Sequence, residues 1–487
     1  MFFYNKIRKF FSSPGFHESG GYFEIWKVAY PLIIMSASLT IMQFADRAFL
    51  ASNSTEDVAA ALPAGILYFA SFCFFMVTVN FTSAIVAQFF GANDIKSCVK
   101  ASWNGFYFAL FTALLIVFIL PLTGALIINF GNHPPEILAR EHEYYRSLIP
   151  SGAFMCMGSA FFAFFSGRGK TIYIATVNSL ACCLNIFLDY IFIFGKLGLP
   201  PLGIWGAGAA TSLSTMFSFI CALLLFLNTD QELLPTRRHR QFKFEFIKKL
   251  FSFGTPAGMQ VLFDVGAFTF VTFLIGHLSR EALAATTIAL SINQLSFMPL
   301  LGFADATSII CGQFIGRSRQ HIAIRVAFRA WRMATLYMVC MSTIYLLLPI
   351  TLMNLFSPSG TSGIDFDEIL KSGQIILALA ALFNLFDATK FIFMGALRGA
   401  GDTRAVMFIS SSCAWLLMVP GTLFMIYVIK SSIEWVWAFL AFYIFFESML
   451  IFWRFRSNRW QKIDLIGHNN VAMPPSDELA QETIPID

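Results

Sequence analysis

The chain alternates between long apolar runs and short polar connections. Twelve runs are long enough to cross a bilayer as helices, since such a helix needs about 20 largely apolar residues. The predicted spans cover about 26–51, 60–90, 103–130, 146–166, 172–195, 203–228, 251–276, 282–315, 333–354, 373–395, 405–429 and 433–453. Runs of this length lack the two-residue alternation of barrel strands. The pattern therefore predicts an all-α polytopic membrane protein.

Composition supports this prediction. Of the 487 residues, 57% are hydrophobic and 13% are charged, whereas soluble domains carry about 25% charged residues. A soluble chain of this length would need polar shells around two or more domains. The net charge of +5 is too small to indicate a nucleic-acid partner. Composition thus excludes a soluble enzyme, a disordered protein and a nucleic-acid binder.

The basic residues are distributed unevenly between the two sides of the predicted membrane. Of the 33 Lys and Arg residues, 25 fall in the tails and connections on the side of the N-terminus, six fall on the other side, and two lie within spans. Basic residues concentrate in cytoplasmic connections. Both termini are therefore predicted to be cytoplasmic.

The longest basic connection divides the twelve spans into two sets of six. We predict a cytoplasmic N-terminal segment at 1–25, an N-terminal lobe at 26–228, a cytoplasmic linker at 229–250 and a C-terminal lobe at 251–455. Residues 456–487 form a predicted cytoplasmic tail, which is acidic and contains proline after position 462. Such a composition favours disorder.

The two halves of the chain repeat each other at a nearly constant offset. The offset is 225 residues over the first two spans and becomes 232 after the fourth. The aligned positions include Pro31 with Pro256, Gln88 with Gln313, Gly91 with Gly316, and Gly167 with Gly399. Six spans per copy give both copies the same orientation, so the pseudo-two-fold axis runs along the membrane normal. Two parallel-repeat six-helix lobes around a central cavity are typical of a transporter.

The predicted spans contain more acids than bases. Six acids are embedded: Asp46, Asp189, Asp264, Asp305, Asp387 and Glu447. The two embedded bases are Arg47 and Lys390. An ionisable group at membrane depth costs about 2.5–3.5 kcal/mol on insertion scales, so each one needs a reason. The excess of carboxylates suits an organic cation, a metal cation or protons.

The fifth predicted span carries the clearest polar stripe. Asn178, Asn185 and Asp189 are spaced by seven and four residues, which places them on one face of a helix. Asn185 and Asp189 are neighbours at i, i+4, so a carbonyl and a carboxylate lie within reach of one cation. Hard cations prefer oxygen ligands of this kind. Together with Asp46, this pair is a candidate Na⁺ site.

Two other spans pair an amide with a carboxylate. Gln43 shares a face with Asp46 in the first span, and Gln260 shares a face with Asp264 in the seventh. For every embedded carboxylate the alternative role is a structural hydrogen bond between helices. A functional role is favoured for Asp46, Asp189, Asp264 and Asp387. Neither role is favoured for Asp305 and Glu447, because no polar stripe surrounds them.

The embedded bases and prolines add further expectations. Arg47 points about 100° away from Asp46, so we expect it to snorkel or to pair with another helix. Lys390 follows Asp387 at i, i+3, a spacing that allows a salt bridge and would weaken Asp387 as a proton carrier. Pro31 is a candidate hinge, because proline removes a helical hydrogen bond. A structural kink without a gating role is the equal alternative.

These residues together resemble the multidrug and toxic compound extrusion (MATE) family of secondary transporters. The resemblance covers about 25–455. The matching features are Pro31 with Asp46 fifteen residues later, Gln88-Phe89-Phe90-Gly91-Ala92, NSLACCLNIFLDYIFIFG (178–195), GIWGAGAATSLS (203–214) and Leu397-Arg398-Gly399-Ala400-Gly401-Asp402-Thr403. The resemblance implies a V-shaped pair of lobes that exports organic cations in exchange for H⁺ or Na⁺.

The resemblance also implies roles for single residues. The polar cluster of the N-terminal lobe corresponds to Asp46, Asn185 and Asp189, with Thr211 as a fourth member. In the C-terminal lobe, Asp387 matches the acidic position of span ten, and Asp264 stands where some members have Glu. The departures are Phe383 in place of a frequent Tyr, and the bases Lys390 and Arg47. They favour the N-terminal cluster as the coupling site and leave open whether both lobes couple.

The sequence therefore predicts a cation-coupled antiporter rather than an enzyme. It would export small organic cations by alternating access, as a monomer in the cell inner membrane or plasma membrane, with no cofactor except H⁺ or Na⁺. The predicted spans contain no His, which argues against a membrane-embedded enzyme. The alternative is a lipid or polysaccharide-precursor flippase of a related fold, which should carry basic residues in its cavity.

Overall fold

A computed structural model describes residues 14–131, 133–229, 234–355 and 366–467. Twelve helices in this part of the chain are long and apolar enough to cross a membrane. We number them α1 Tyr22–Asn53, α2 Thr55–Asn80 with Thr82–Gly91, α3 Ile95–Phe130, α4 Pro135–Gly167, α5 Ile172–Phe194, α6 Gly203–Asn228, α7 Phe244–Gly276, α8 Arg280–Gly316, α9 Gln320–Leu347, α10 Phe366–Ala400, α11 Thr403–Val428 and α12 Ile433–Arg456. The predicted number of spans is confirmed.

Several helices extend beyond the predicted spans. The third begins at Ile95 instead of about 103, and the fourth begins at Pro135 instead of about 146. Hydropathy detects only the apolar part of a helix, whereas the backbone stays helical until a cap ends it. The side chain of Asp94 caps α3 by accepting a hydrogen bond from the Ser97 N–H at 3.0 Å. The predicted span 333–354 is likewise the end of α9 and a separate short helix, Pro349–Asn354.

The same fold repeats in both halves, down to the caps of the helices. Ser54 caps α2 through the Asp57 N–H at 3.0 Å, and Ser279, 225 residues later, caps α8 through the Ala282 N–H at 3.0 Å. In the first lobe α4 is the central helix and packs on α2, α3 and α6. In the second lobe α10 holds the same place and packs on α8, α9 and α12. The predicted arrangement of two parallel-repeat six-helix lobes is confirmed.

Both lobes meet on one side of the bundle. We call this side the termini face, because α1 begins there at Tyr22 and α12 ends there at Arg456. The contacts between lobes join α1 to α8, α2 to α8 and α2 to α7. Ile25, Val28 and Leu32 of α1 belong to the apolar core of α8, α9 and α10. The termini-side half of α1 is thus packed on the other lobe.

The segment after α12 is folded where disorder was predicted. Residues 457–467 include a 3₁₀ turn at Arg459–Lys462, and the Trp460 ring is buried in the core of the second lobe. Leu465 and Ile466 are buried in the core of the first lobe. Apolar side chains at these positions interrupt the polar pattern, and their burial orders the backbone. Positions 468–487 of the predicted tail lie outside the described residues.

The remaining predicted boundaries fall close to helix ends. Residues 1–13 of the predicted N-terminal segment lie outside the described residues, and helix α1 starts at Tyr22. Within the predicted linker 229–250, the helix of α7 already begins at Phe244. Basic residues at 248 and 249 follow this helical start, which explains why a charge-based boundary lies too late.

Candidate functional site

A buried carboxylate pair lies in the first lobe, in the half remote from the termini face. Asp46 of α1 is 7% exposed, and Asp189 of α5 is fully buried. Their carboxyl groups lie within hydrogen-bonding reach of each other. Seven residues separate Asp46 from the end of α1, and five separate Asp189 from the end of α5. The structure therefore brings together the two acids that the sequence singled out in this lobe.

Asn185 lies between these acids and Thr211. With its amide nitrogen turned toward the carboxylates, Asn185 donates to Asp46 Oδ1 at 3.0 Å and to Asp189 Oδ2 at 3.2 Å. Carboxylates accept hydrogen bonds, so this orientation satisfies both groups. The same amide lies 3.4 Å from Thr211 Oγ1, whose hydroxyl donates to the Ala207 carbonyl at 3.1 Å. All four predicted members of the cluster are adjacent.

Two carboxylates in contact in a dry environment cannot both stay charged without a counter-charge. A proton shared between Asp46 and Asp189 satisfies this condition, and so does a small cation bound to their oxygens. Asp189 Oδ1 is buried without a hydrogen-bond partner in the described structure. Arg47 is exposed and forms no ion pair with the described residues. The cluster can therefore take up and release one positive charge.

The auxiliary residues predicted beside this cluster do not join it. Gln43, one turn before Asp46, is exposed. The Asn178 amide donates to the Ile174 carbonyl of its own helix at 2.9 Å. Seven residues separate Asn178 from Asn185, about 10 Å along a helix. The sequence also missed Tyr144 of α4, which is 8% exposed and interacts electrostatically with both acids.

The second lobe carries a mixed acidic and basic network. Lys390 Nζ of α10 lies 2.7 Å from Glu447 Oε2 of α12. The predicted i, i+3 salt bridge between Lys390 and Asp387 is therefore replaced by a bridge between helices, because the lysine stem reaches across to a fully buried carboxylate. Asp264 and Asp387 both interact with the Lys390 charge without an ion pair in the described residues. Glu447, for which neither role was favoured, is thus central to this network.

Gln260 connects this network to a second base. Its amide nitrogen donates to Asp264 Oδ2 at 3.0 Å, and its amide oxygen accepts from the Arg398 guanidinium at 2.8 Å. Arg398 in turn interacts electrostatically with Asp305. Phe383 takes no part in the network, since its ring is 3% exposed and stacks on Trp437 with centroids 6.2 Å apart. The two lobes therefore differ in charge, although their folds match.

The termini face is closed by a symmetric pair of hydrogen bonds between the lobes. Gln88 Nε2 of α2 donates to the Gly399 carbonyl at 2.8 Å, and Gln313 Nε2 of α8 donates to the Gly167 carbonyl at 2.8 Å. These four positions are the ones aligned by the internal repeat. We call them the glutamine latch. Their pairing indicates that the described conformation is closed on the termini face.

Two glycines make this closure possible. A Cβ added at Gly91 would lie 2.0 Å from the Gln313 carbonyl oxygen, and one at Gly316 would lie 2.0 Å from the Gln88 carbonyl oxygen. Real Cβ atoms do not approach an oxygen this closely. The repeated Gln-Phe-x-Gly motif therefore supplies both the hydrogen bond and the space for the opposite backbone.

A protein-family model described as MatE matches residues 31–191 and 256–424. The two matches begin at Pro31 and Pro256, the prolines aligned by the repeat. The chain is 26% identical over 450 residues to a probable multidrug resistance protein NorM of Thermotoga maritima, covering 92% of this chain and 95% of that protein. It is 28% identical over 399 residues to multidrug resistance protein MdtK of Photorhabdus laumondii, covering 80% and 84%.

Solved structures match the fold. An outward-facing multidrug resistance MATE family transporter of the MOP superfamily superposes with a TM-score of 0.81 and 20% identity, covering 91% of this chain and 96% of that chain. A MOP superfamily transporter from Pyrococcus furiosus also superposes with a TM-score of 0.81 and 20% identity, covering 90% and 96%. At this level of identity the match establishes the shared fold.

Proposed function

Because the chain belongs to the MatE family of membrane transporters, we propose that it is a multidrug efflux antiporter that exports small organic cations in exchange for H⁺ or Na⁺. The observation that carries this proposal is the buried Asp46–Asp189 pair with Asn185 between the two carboxyl groups. The NorM and MdtK relatives are named multidrug resistance proteins, which supports the export of drugs. The protein would act as a monomer, without a cofactor beyond the coupling ion.

The proposed orientation places the termini face in the cytoplasm of the cell inner membrane or plasma membrane. This orientation follows from the 25 Lys and Arg residues on that side against six on the other, because basic residues concentrate in cytoplasmic connections. The glutamine latch then closes the cytoplasmic entrance, while the Asp46–Asp189 pair lies in the outer half of the membrane. In this proposal the coupling cation or proton reaches the pair from outside.

The proposed coupling runs through α1. Its outer half carries Asp46, and its middle packs on α5, where the Ser38 and Ser179 hydroxyl oxygens are 3.0 Å apart. Its inner half packs on α8, where a Cβ added at Gly302 would lie 2.9 Å from the Ile33 backbone nitrogen. Pro31 lies next to this crossing. A change of charge at Asp46 would bend α1 there, and the ion and the substrate would favour opposite states, as exchange requires.

The test is efflux of the cationic dye ethidium from proteoliposomes, with a pH gradient and a Na⁺ gradient imposed separately. We expect one gradient to drive efflux by the unmodified protein. Asp46→Asn and Asp189→Asn should each abolish gradient-driven efflux, whereas Glu143→Gln, at an exposed carboxylate of α4, should leave it unchanged. Full gradient-driven efflux by both Asn variants would overturn the coupling role. Absence of efflux under both gradients would favour the flippase.

A further inference from the structure

One ammonium group in the second lobe contacts one buried acid and interacts electrostatically with two more acids. Lys390 of α10 is 9% exposed and contacts the fully buried Glu447 of α12 at 2.7 Å. Its charge also acts on Asp264 of α7 and on Asp387, one turn earlier on α10. The other base in this network, Arg398, is bonded to Gln260, and its charge also acts on Asp264. Lys390 is thus the base whose charge acts on all three carboxylates.

The two lobes differ in the source of the positive charge that balances their buried carboxylates. Buried carboxylates need a counter-charge. The Asp46–Asp189 pair of the first lobe has no base in contact among the described residues and must take its positive charge from solution. In the second lobe Lys390 supplies the charge from within the chain. A lysine ammonium is a compact monovalent cation with three donors, and its stem keeps it in place.

We propose that Lys390 is a resident cation of the second lobe, which occupies the position that a mobile monovalent cation would otherwise take. Asp264 and Asp387 are then charged without an inorganic ion and form the negative surface that a cationic substrate meets. The ion gradient acts on the first lobe alone. This inference rests on the proposed cation-coupled export and assigns separate tasks to the two lobes.

A purely structural ion pair between Lys390 and Glu447 makes a different prediction. If the pair served only to hold α10 against α12, replacing both partners with neutral side chains would remove the need for any cation. If Lys390 also serves Asp264 and Asp387, the same double replacement leaves two carboxylates without their counter-charge. Binding of radioactive Na⁺ to the purified protein in detergent distinguishes these two cases.

The parent protein for this experiment is the Asp46→Asn, Asp189→Asn variant of the full chain, which removes the first-lobe site. We expect the parent to bind no Na⁺ at alkaline pH. Adding Lys390→Met should create saturable binding of about one Na⁺ per chain, because the three buried carboxylates have lost the one positive charge that Lys390 gave them. Adding Lys390→Arg should create none, because the charge remains.

The combined Lys390→Met, Glu447→Gln variant guards against misfolding, because it leaves no unpaired half of the ion pair. We expect it to elute as a single species in size-exclusion chromatography and still to bind Na⁺ through Asp264 and Asp387. Loss of Na⁺ binding when Asp264→Asn is added would locate the bound ion at Asp264 and support the inference. Absence of Na⁺ binding in a folded combined variant would overturn the inference.

The outcome is separable from that of the proposed function. Failure of the proposed function would appear as absent gradient-driven ethidium efflux by the unmodified protein. Failure of the resident-cation inference would appear only in the Na⁺ binding of the Lys390 variants, whether or not the unmodified protein transports ethidium.

Discussion

At the scale of single residues, Asn185 links the carboxyl groups of Asp46 and Asp189. Its amide touches both carboxylates, and its other side faces Thr211. An amide that donates to two acids can stay in place when they share a proton. It can also turn its oxygen toward a bound cation. The side chain therefore fits the charged and the neutral state of the pair.

We expect Asn185→Leu to abolish gradient-driven ethidium efflux and to lower the free energy of unfolding by about 1–3 kcal/mol, the cost of leaving buried polar groups unpaired. The matched control is Asn178→Leu on the same helix, since the Asn178 amide bonds only its own backbone in the described contacts. Efflux and thermal unfolding are measured for both. Equal losses in the two variants would contradict a special role for Asn185.

The predictability of residues follows the range of their contacts. Asn185 and Asp189 could be paired from sequence because helix geometry fixes neighbours at i, i+4. The partner of Lys390 could not be predicted from sequence. The packing of α10 on α12 decides whether Lys390 contacts Asp387 on its own helix or Glu447 on the other. Tyr144 gave no signal, since a tyrosine in an apolar run is ordinary. The exposure of Gln43 could not be predicted either, because the helical face that Gln43 shares with Asp46 does not show which neighbouring helix covers each residue.

At the scale of elements, α1 belongs to both lobes. Its inner half lies in the core of the second lobe and also accepts a hydrogen bond at the Val28 carbonyl from Thr171, at the start of α5. Its outer half carries Asp46, beside Asp189 of α5. Pro31 removes one backbone hydrogen bond of α1, because proline has no N–H to donate. In the proposed mechanism, α1 is the element through which a charge change at Asp46 reaches the interface between the lobes.

Pro31→Ala should stiffen α1 and slow transport. Restoring the missing helical bond favours the straight helix by up to about 3 kcal/mol, so we expect the efflux rate to fall by about tenfold or more. The folded protein should be at least as stable as before. The control is Pro121→Ala within α3, which touches neither cluster and should leave the rate unchanged. An unchanged rate in Pro31→Ala would remove the hinge role.

Helix number was predictable because each span must satisfy its backbone within the membrane. Helix ends were less so, as the early starts of α3 and α4 show. The π-helical turns at Leu250–Gly254, Cys413–Met418 and Phe424–Val428 had no signal in the pattern of apolar and polar positions. They depend on a change of hydrogen-bond register within the helix, which leaves the apolar character of a span unchanged.

At the scale of the whole molecule, the glutamine latch makes the closed state symmetric. Each lobe gives one amide donor and receives one, so neither lobe dominates the closure. The repeat was visible in the sequence, but its alignment could not show that the matched glutamines cross to the opposite lobe. That information resides in the packing of α2 on α8.

Gln88→Leu and Gln313→Leu should each open the termini face, by similar amounts. Losing one buried donor leaves a carbonyl unpaired, which costs about 1–3 kcal/mol. Spin labels at the exposed, repeat-related positions Lys96 and His321 report the separation of the lobes in double electron–electron resonance measurements. We expect a longer-distance population in both variants and more of it in the double variant. Gln43→Leu is the control, and a latch variant that matches it would contradict the prediction.

The folded segment after α12 sets a limit on this opening. Trp460 is anchored in one lobe and Leu465 in the other. Five residues can extend over at most about 18 Å. While both side chains stay buried, this segment connects the two lobes. The gap at the termini face can then widen only as far as the segment can extend. Residues 460–465 thus act as a mechanical stop, which limits the separation of the lobes for as long as Trp460 and Leu465 stay buried.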